Sequence, residues 1–152
     1  MSLSTYSKKR IFKGRNKTPE PKPKILKSKK RIFVVHDHHA SHHHWDLRLS
    51  MNGVLKSWAI PKQPPRKKGI KRLAIQVEDH PLAYANFEGV IPKGQYGAGT
   101  VKIWDKGKYQ LKHKDSKKII LEFYGKKLKG EYALVKTSYG SKPEKSWLFM
   151  RI

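Results

Sequence analysis

The chain has no cysteine, few acidic residues and no long apolar run. The absence of cysteine excludes disulfides and thiolate-bound metals. No apolar stretch approaches the roughly 20 residues that cross a membrane, and the N-terminus lacks the apolar segment of a secretory signal. The sequence of 152 residues therefore predicts a cytoplasmic protein with no membrane partner.

Basic residues dominate the charge. The chain has 35 Lys and Arg against 11 Asp and Glu, which gives a formal charge of +24. Such a surplus exceeds what solubility requires and indicates a polyanionic partner, although a generally basic, solvated surface is an alternative interpretation. Nucleic acid is favoured over a membrane surface because no basic amphipathic helix is visible.

The length suggests one domain with a preceding arm. Residues 1–31 hold twelve Lys or Arg, with Glu20 as the single acid, and the alternating prolines at 19, 21 and 23 exclude a regular helix. We predict a basic, partly flexible N-terminal arm over residues 1–31 that contacts phosphates, and a folded domain over residues 32–152. A solubilising tail is the alternative for the first dozen residues.

The folded part is expected to be mainly β. Short alternating segments bounded by turn residues predict a compact antiparallel β-barrel or curled sandwich with only short helical segments. Asn52-Gly53 predicts a hairpin, and residues 105–108 predict another turn. The predicted strands are Ile32–His36, His44–Ser50, Val54–Ile60, Leu73–Glu78, Thr100–Lys108, Tyr109–His113, Ile119–Tyr124, Gly130–Lys136 and Ser146–Arg151.

Six of the eight histidines lie within residues 36–44. From His44 onward polar and apolar residues alternate, so a strand would place His44, Asp46 and Arg48 on one face and the apolar residues between them on the other. Such a face carries an imidazole, a carboxylate and a guanidinium together. This combination is typical of a metal ion beside a phosphate.

His38, His44 and Asp46 are the predicted metal ligands, with His38 arriving from the loop before the strand. Two imidazoles and one carboxylate occupy one face of a six-coordinate Mn²⁺, Fe²⁺ or Zn²⁺ and leave positions open for substrate. We interpret the remaining histidines of the run as surface residues. They are His36, His39, His42 and His43. A pH-sensitive or adventitious metal-binding loop is the alternative for the whole cluster.

Arg48 has the geometry to grip a phosphate with paired hydrogen bonds, although alone it would more often be the salt-bridge partner of Asp46. A second predicted strand also carries polar residues of one parity, with apolar residues between them. Those residues are Arg72, Gln76, Glu78 and His80. Lys62, at the end of another strand, supplies a further cation.

Residues 94–100 are rich in glycine. A dinucleotide-binding loop needs a helix after it, whereas the residues that follow here are strand-like. We therefore predict a tight glycine-rich turn.

Several of these segments together resemble the 3′-phosphoesterase domain of bacterial DNA ligase D, densely over roughly residues 33–110. The segments are Phe33-Val34-Val35, His44-Trp45-Asp46-Leu47-Arg48-Leu49, Trp58-Ala59-Ile60-Pro61-Lys62, Val77-Glu78-Asp79-His80-Pro81-Leu82 and Phe87-Glu88-Gly89-Val90-Ile91-Pro92-Lys93-Gly94-Gln95-Tyr96-Gly97-Ala98-Gly99-Thr100.

The resemblance implies a β-barrel enzyme that removes a terminal ribonucleoside from a 3′ end and then hydrolyses the remaining 3′-phosphate. Mn²⁺ is the implied cofactor, with Co²⁺ or Zn²⁺ as other candidates. The metal ligands would be His38, His44 and Asp46. The positions matching phosphate-contacting and catalytic residues are Arg48, His80 and Tyr84, and those matching supporting residues are Lys62, Arg72 and Glu78.

The implied substrates are DNA or RNA–DNA primer-template 3′ ends, handled by a monomer together with a separate ligase, polymerase or end-binding repair protein. The sequence resembles a stand-alone version of the domain. Ile11 stands where the family has an acidic residue in its arm, which predicts a weaker ribonucleoside-removing step. Glu20 matches a second acidic position.

Two other function classes fit parts of the sequence. One is a non-catalytic basic module that binds nucleic acid. The other is a facial-triad iron oxygenase, since His44-Trp45-Asp46 has the His-x-Asp spacing and His113 is a candidate for the distal histidine. The +24 charge fits the small acid substrate of such an oxygenase poorly.

Overall fold

The structure, a computed structural model, describes residues 31–152. The predicted arm, with Ile11 and Glu20, therefore lies outside the described residues except for Arg31. Within the described part, nine strands carry most of the chain. They are β1 (Ile32–His39), β2 (His44–Met51), β3 (Val54–Ile60), β4 (Lys71–His80), β5 (Gly89–Ile91), β6 (Gly99–Lys114), β7 (Lys118–Tyr124), β8 (Lys129–Lys136) and β9 (Ser146–Arg151).

The strands form a closed antiparallel barrel, as predicted. Their order is β1-β2-β3-β4-β9-β8-β7-β6, and β6 pairs back with β1 to close eight strands into a ring. The short strand β5 pairs with the start of β6 outside this ring. Closure matters because it leaves no unpaired edge among the eight strands.

The first hairpin shows how the sequence sets the register. Asn52 and Gly53 have φ values of 51° and 81°, the left-handed conformation that a tight two-residue turn requires. This turn pairs Met51 with Val54, and the ladder continues to Trp45 opposite Ile60. The predicted hairpin is confirmed.

The barrel interior is filled by the apolar face of each strand. In β2, Leu47 and Leu49 are fully buried in this core and Trp45 packs against it, which confirms the predicted alternation. Other large members of the core are Phe33, Trp58, Ile60, Tyr109, Leu121, Phe123, Tyr132, Leu134, Trp147 and Phe149. The polar residues of β2 must consequently point outward.

A second, smaller apolar cluster lies on the outer face of the same strands. Val34 and Leu55 contribute from β1 and β3, and Tyr84 and Ala85 contribute from the 3₁₀ helix Leu82–Asn86. This helix covers part of the outer face and shields it from water. Part of the outer face of these strands is therefore a second buried layer.

Strand β4 contains a bulge that the sequence pattern did not reveal. Ser57 of β3 lies opposite Val77, but Leu55, two residues earlier, lies opposite His80, three residues later. One extra residue in β4 reverses which parity faces outward. Gln76 lies opposite the core residue Trp58 instead, so the prediction that residues 72, 76, 78 and 80 share one face is wrong.

The predicted turn at residues 105–108 is also wrong, because β6 runs through it as one strand. A Cβ on Gly107 would lie 2.6 Å from the backbone oxygen of Tyr124, so this glycine allows the end of β7 to approach β6 closely. Asp105 is buried and accepts hydrogen bonds from the backbone N–H groups of Lys126, Lys127 and Leu128. Asp105 therefore binds the loop of residues 126–128, and Gly107 gives space to the neighbouring backbone. Neither residue belongs to a turn.

Helical structure is limited in residues 31–152 to two short 3₁₀ segments, Leu82–Asn86 and Pro143–Lys145, which confirms the expectation of only short helices. Strand β5 was not predicted, since three residues are too few for alternation to be visible. Within the same range no helix has the length and apolarity needed to cross a membrane.

The loop fastened by Asp105 yields a stability prediction. Asp105→Ala leaves three backbone N–H groups without their acceptor in a largely buried place, and we expect it to lower the free energy of unfolding by about 2–4 kcal/mol in urea titrations. Asp115→Ala is the matched control, because the Asp115 carboxylate accepts two backbone N–H bonds but is exposed. Water replaces it there, so its loss is smaller. Equal losses in the two variants would contradict the role assigned to burial.

Candidate active site

The pairing of β1 with β2 assembles the first half of the site. His38 lies directly opposite His44, and His36 lies directly opposite Asp46. Directly opposite residues point to the same side of a sheet, so all four side chains share the outer face. His38 thus belongs to a strand and not to the loop predicted for it, because β1 extends to His39.

His38, His44 and Asp46 form a compact group, which we call the buried triplet. Nδ1 of His38 lies 3.5 Å from Oδ2 of Asp46, and Nε2 of His44 lies 3.2 Å from the same oxygen. One donor atom from each residue falls within 4.8 Å of the others. His38 and Asp46 are buried, whereas His44 is half-buried. The structure therefore brings the three predicted metal ligands together.

The hydrogen bonds of the two imidazoles fix which nitrogen faces the triplet. Nε2 of His38 donates to the backbone oxygen of Gly97 at 2.8 Å, and Nδ1 of His44 donates to the backbone oxygen of His42 at 2.9 Å. The other nitrogen of each ring faces Asp46, where it can donate a hydrogen bond when protonated or bind a cation when it is not. Metal-binding histidines are oriented in this way by carbonyl partners, so the residues fit a divalent ion.

The glycine-rich turn supplies one of those carbonyls. Residues 92–98 form two consecutive turns, with Gln95 N–H donating to the Pro92 oxygen and Ala98 N–H donating to the Gln95 oxygen. Gly97 has a φ of 81°, which suits glycine. Strand β6 follows, so the prediction of a turn and not a dinucleotide loop is confirmed.

The charge of Asp46 is stabilised despite its burial. Burial alone would raise the pKa of this carboxyl, but Arg48 and the hydrogen bonds from His38 and His44 hold the pKa well below its usual range. For His44, burial lowers the pKa, but the hydrogen bond and charge of Asp46 outweigh burial and raise it. The triplet therefore contains a carboxylate that stays ionised.

Arg48 connects the triplet to the rest of the site. Its side chain is almost completely buried, and each nitrogen has a defined neighbour. Nε donates to Nδ1 of His36 at 3.0 Å, Nη1 donates to Oγ of Ser57 at 2.9 Å, and Nη2 lies 3.3 Å from Oδ2 of Asp46. Arg48 is thus the ion-pair partner of Asp46 and also a guanidinium fixed in place before any substrate arrives.

His36 is buried, which corrects its interpretation as a surface residue. Nδ1 accepts from Arg48, so Nε2 carries the proton and donates to the backbone oxygen of Phe87 at 3.1 Å. Burial, together with the charge of Arg48, lowers the pKa of His36 to about 3, so the ring is neutral. The equal parity of His36 and His38 was the signal that could have revealed it.

His80 and Tyr84 complete the buried group. Nδ1 of His80 lies 3.1 Å from Nη1 of Arg48 and 3.0 Å from the backbone oxygen of Glu78. The Tyr84 ring covers the guanidinium, with its centroid 5.0 Å from Cζ of Arg48, and packs edge-on against His36. A ring face against a buried cation is favourable, so Tyr84 helps to hold Arg48.

The three residues predicted to support the site are placed differently. Glu78, two residues before His80, is buried, and its Oε2 has no hydrogen-bond partner among the described residues. Lys62 is exposed two residues after β3, at the end of the β2–β3 ladder where His44 begins β2. Arg72 donates from Nε to the backbone oxygen of Gln63. Lys62 and Arg72 therefore lie outside the buried group.

Ser57, which no sequence motif singles out, also belongs to the site. Its hydroxyl accepts from Arg48 and donates to the backbone oxygen of Leu55 at 3.1 Å. The distal histidine considered for an iron site does not reach the triplet, because His113 pairs with Asp115 on the exposed end of β6. The third residue of the buried triplet is instead His38.

A comparison with protein families matches residues 36–136, more than half of the chain, to the DNA ligase D 3′-phosphoesterase domain. The chain belongs to this family. Every residue of the buried triplet lies inside the matched range, as do Arg48, His80 and Tyr84.

Individual relatives of this phosphoesterase domain are multifunctional non-homologous end joining LigD proteins. The protein of Mycobacterium bovis is 45% identical over 135 residues, covering 85% of this chain and 18% of the relative. That of Mycolicibacterium smegmatis is 41% identical over 163 residues, covering 99% and 20%, and that of Pseudomonas aeruginosa is 42% identical over 157 residues, covering 98% and 18%. The chain spans about a fifth of the length of these curated relatives.

The position of His36 in this phosphoesterase domain gives a second stability prediction. His36→Phe keeps a ring of similar size but leaves the Arg48 Nε–H and the Phe87 carbonyl without a partner in a buried place. We expect a loss of roughly 1–3 kcal/mol in the free energy of unfolding, measured by urea titration. His42→Ala removes an exposed ring from the same run and is expected to change it by less than about 0.5 kcal/mol. A neutral effect of His36→Phe would contradict the assigned contacts.

Proposed function

We propose that the protein is a metal-dependent phosphoesterase that repairs DNA or RNA–DNA 3′ ends in non-homologous end joining. It removes a terminal ribonucleoside as a phosphodiesterase and then removes the 3′-phosphate as a phosphomonoesterase. The observation that carries the proposal is the buried triplet, in which one nitrogen of each imidazole and one oxygen of Asp46 converge beside a fixed guanidinium. Family membership and the end-joining names of the relatives support the same assignment.

The donor set fits a divalent cation with open coordination positions. Two imidazole nitrogens and one carboxylate suit Mn²⁺, which we propose as the cofactor, and also Co²⁺ or Zn²⁺. Nδ1 of His38, Nε2 of His44 and Oδ2 of Asp46 would hold it. When bound, such an ion supplies Lewis-acid polarisation of a phosphoryl oxygen.

Arg48 stabilises negative charge on the phosphoryl group that is being transferred. Its orientation is set by His36, Ser57 and Asp46, so no reorganisation is needed when charge develops in the transition state. Lys62 and Arg72, near the His44 end of the sheet, are placed to attract the phosphates of the approaching strand. Lys62 is exposed and Arg72 is half-buried, so this contribution is sensitive to salt.

His80 is proposed to donate a proton to the leaving oxygen or a hydrogen bond to the phosphoryl group. Its Nδ1 lies against the Glu78 carbonyl, which positions the ring, so Glu78 acts as a positioning residue. Tyr84 is proposed to orient a phosphate oxygen, since its ring already packs against Arg48 and His80.

A non-catalytic nucleic-acid-binding module is less well supported. Binding to a phosphate backbone needs exposed basic groups, which the +24 charge supplies without help from the site. Burying Arg48 and Asp46 costs several kcal/mol of desolvation before their pairing offsets it. A module that only binds would have no use for that arrangement.

The test is an end-healing assay with the full chain, Mn²⁺ and a primer-template whose primer ends in one ribonucleotide. We expect two sequential products, a primer shortened by one nucleoside with a 3′-phosphate and then the same primer with a 3′-hydroxyl. The products are resolved by electrophoresis before and after treatment with a separate 3′-phosphatase.

His44→Ala should abolish both steps, because it removes a ligand atom of the buried triplet. His113→Ala is the matched control, since it removes an exposed histidine that also pairs with a carboxylate, and it should keep wild-type activity. Full activity in His44→Ala, or no Mn²⁺-dependent product from the wild type, would refute the proposed function.

A further inference from the structure

A second group of two histidines and one aspartate lies on the opposite face of β1. Nε2 of His39 is 3.3 Å and Nε2 of His43 is 2.6 Å from the same oxygen, Oδ1 of Asp37. We call Asp37, His39 and His43 the exposed triplet. As in the buried triplet, one donor atom from each residue lies within 4.8 Å of the others.

The two triplets interleave along a single hairpin. Asp37 and His39 flank His38 on β1, and successive side chains of a strand point to opposite faces. His43 lies in the connecting loop immediately before His44. The run of histidines thus supplies ligand sets of the same composition to both faces, which explains residues that the buried site leaves unused.

The arrangement of the rings suits a shared cation. The rings of His39 and His43 stack with centroids 4.0 Å apart and an angle of 19° between their planes. Nε2 of each ring faces the same oxygen of Asp37, which is the convergence expected of ligands around one metal ion.

The surroundings support such a site. The ring of His43 also packs at 4.3 Å from Trp45, which restricts the position of its Nε2. His39 and His43 are both exposed, so water has access to the remaining coordination positions. The donor set, two imidazole nitrogens and one carboxylate oxygen, is one that can bind Zn²⁺ or Co²⁺.

We propose that Asp37, His39 and His43 form a second divalent-metal site of Zn²⁺ or Co²⁺ type, separate from the buried triplet. A bound ion there ties the end of β1 to the loop of residues 40–43. That loop also provides the His42 carbonyl that orients His44. Because its two histidines are exposed, this site is expected to bind metal more weakly than the buried triplet. Metal bound there is expected to order the loop of residues 40–43.

The test is titration of the full-length chain with Co²⁺, with bound metal counted by equilibrium dialysis and visible absorption recorded in parallel. The wild type should bind two ions per chain. His43→Leu and, independently, His39→Gln should each bind one ion, and His44→Ala should also bind one, at the exposed triplet. His43→Leu combined with His44→Ala should bind none. His113→Ala should still bind two.

Circular dichroism of each variant confirms that the barrel is intact, and since both exposed rings lie outside the core, folding is expected to be unaffected. Binding of two ions by both His43→Leu and His39→Gln would overturn the proposal, as would binding of a single ion by the wild type with no change in these variants. Because the readout is metal count and not turnover, failure of the proposed function leaves this test intact.

Discussion

The guanidinium of Arg48 is buried beneath the 3₁₀ helix that covers the outer face of the barrel, and the neighbouring groups are arranged around it. A buried cation left without partners would destabilise the fold by several kcal/mol. Here the carboxylate of Asp46, the neutral ring of His36 and the hydroxyl of Ser57 each accept from or pair with it. These same neighbours fix Arg48 where a phosphate would meet it, so one set of contacts serves both stability and the proposed catalysis.

The backbone also orients the two histidines that we propose as metal ligands. His38 and His44 each use one nitrogen on a main-chain carbonyl, from Gly97 and from His42. Those carbonyls come from two loops that are far apart in the sequence. Gly97 lies between β5 and β6, and His42 lies between β1 and β2. The barrel closes β6 onto β1 and so brings the glycine-rich turn over the hairpin. The orientation of the two imidazoles is therefore a consequence of topology.

The faces of the strands and the first hairpin could be predicted from the sequence because they depend on local periodicity. The alternation after His44 correctly separated the core residues of β2 from its polar residues, and Asn52-Gly53 correctly located a turn. The burial of His36 could not be predicted with equal ease, since it depends on Tyr84 and Phe87, which lie some fifty residues later. The bulge in β4 and the unbroken β6 likewise depend on partners distant in sequence: Leu55 opposite His80, and the chain at Tyr124 close to Gly107.

The central claim is that two imidazoles and Asp46 present defined atoms to one divalent ion. A crystal of the full chain grown with Mn²⁺, with anomalous diffraction collected to locate manganese, tests it most directly. We expect an ion bound by Nδ1 of His38, Nε2 of His44 and Oδ2 of Asp46, with the ring hydrogen bonds to Gly97 and His42 preserved. Manganese that binds elsewhere while these three atoms remain without it would contradict the account.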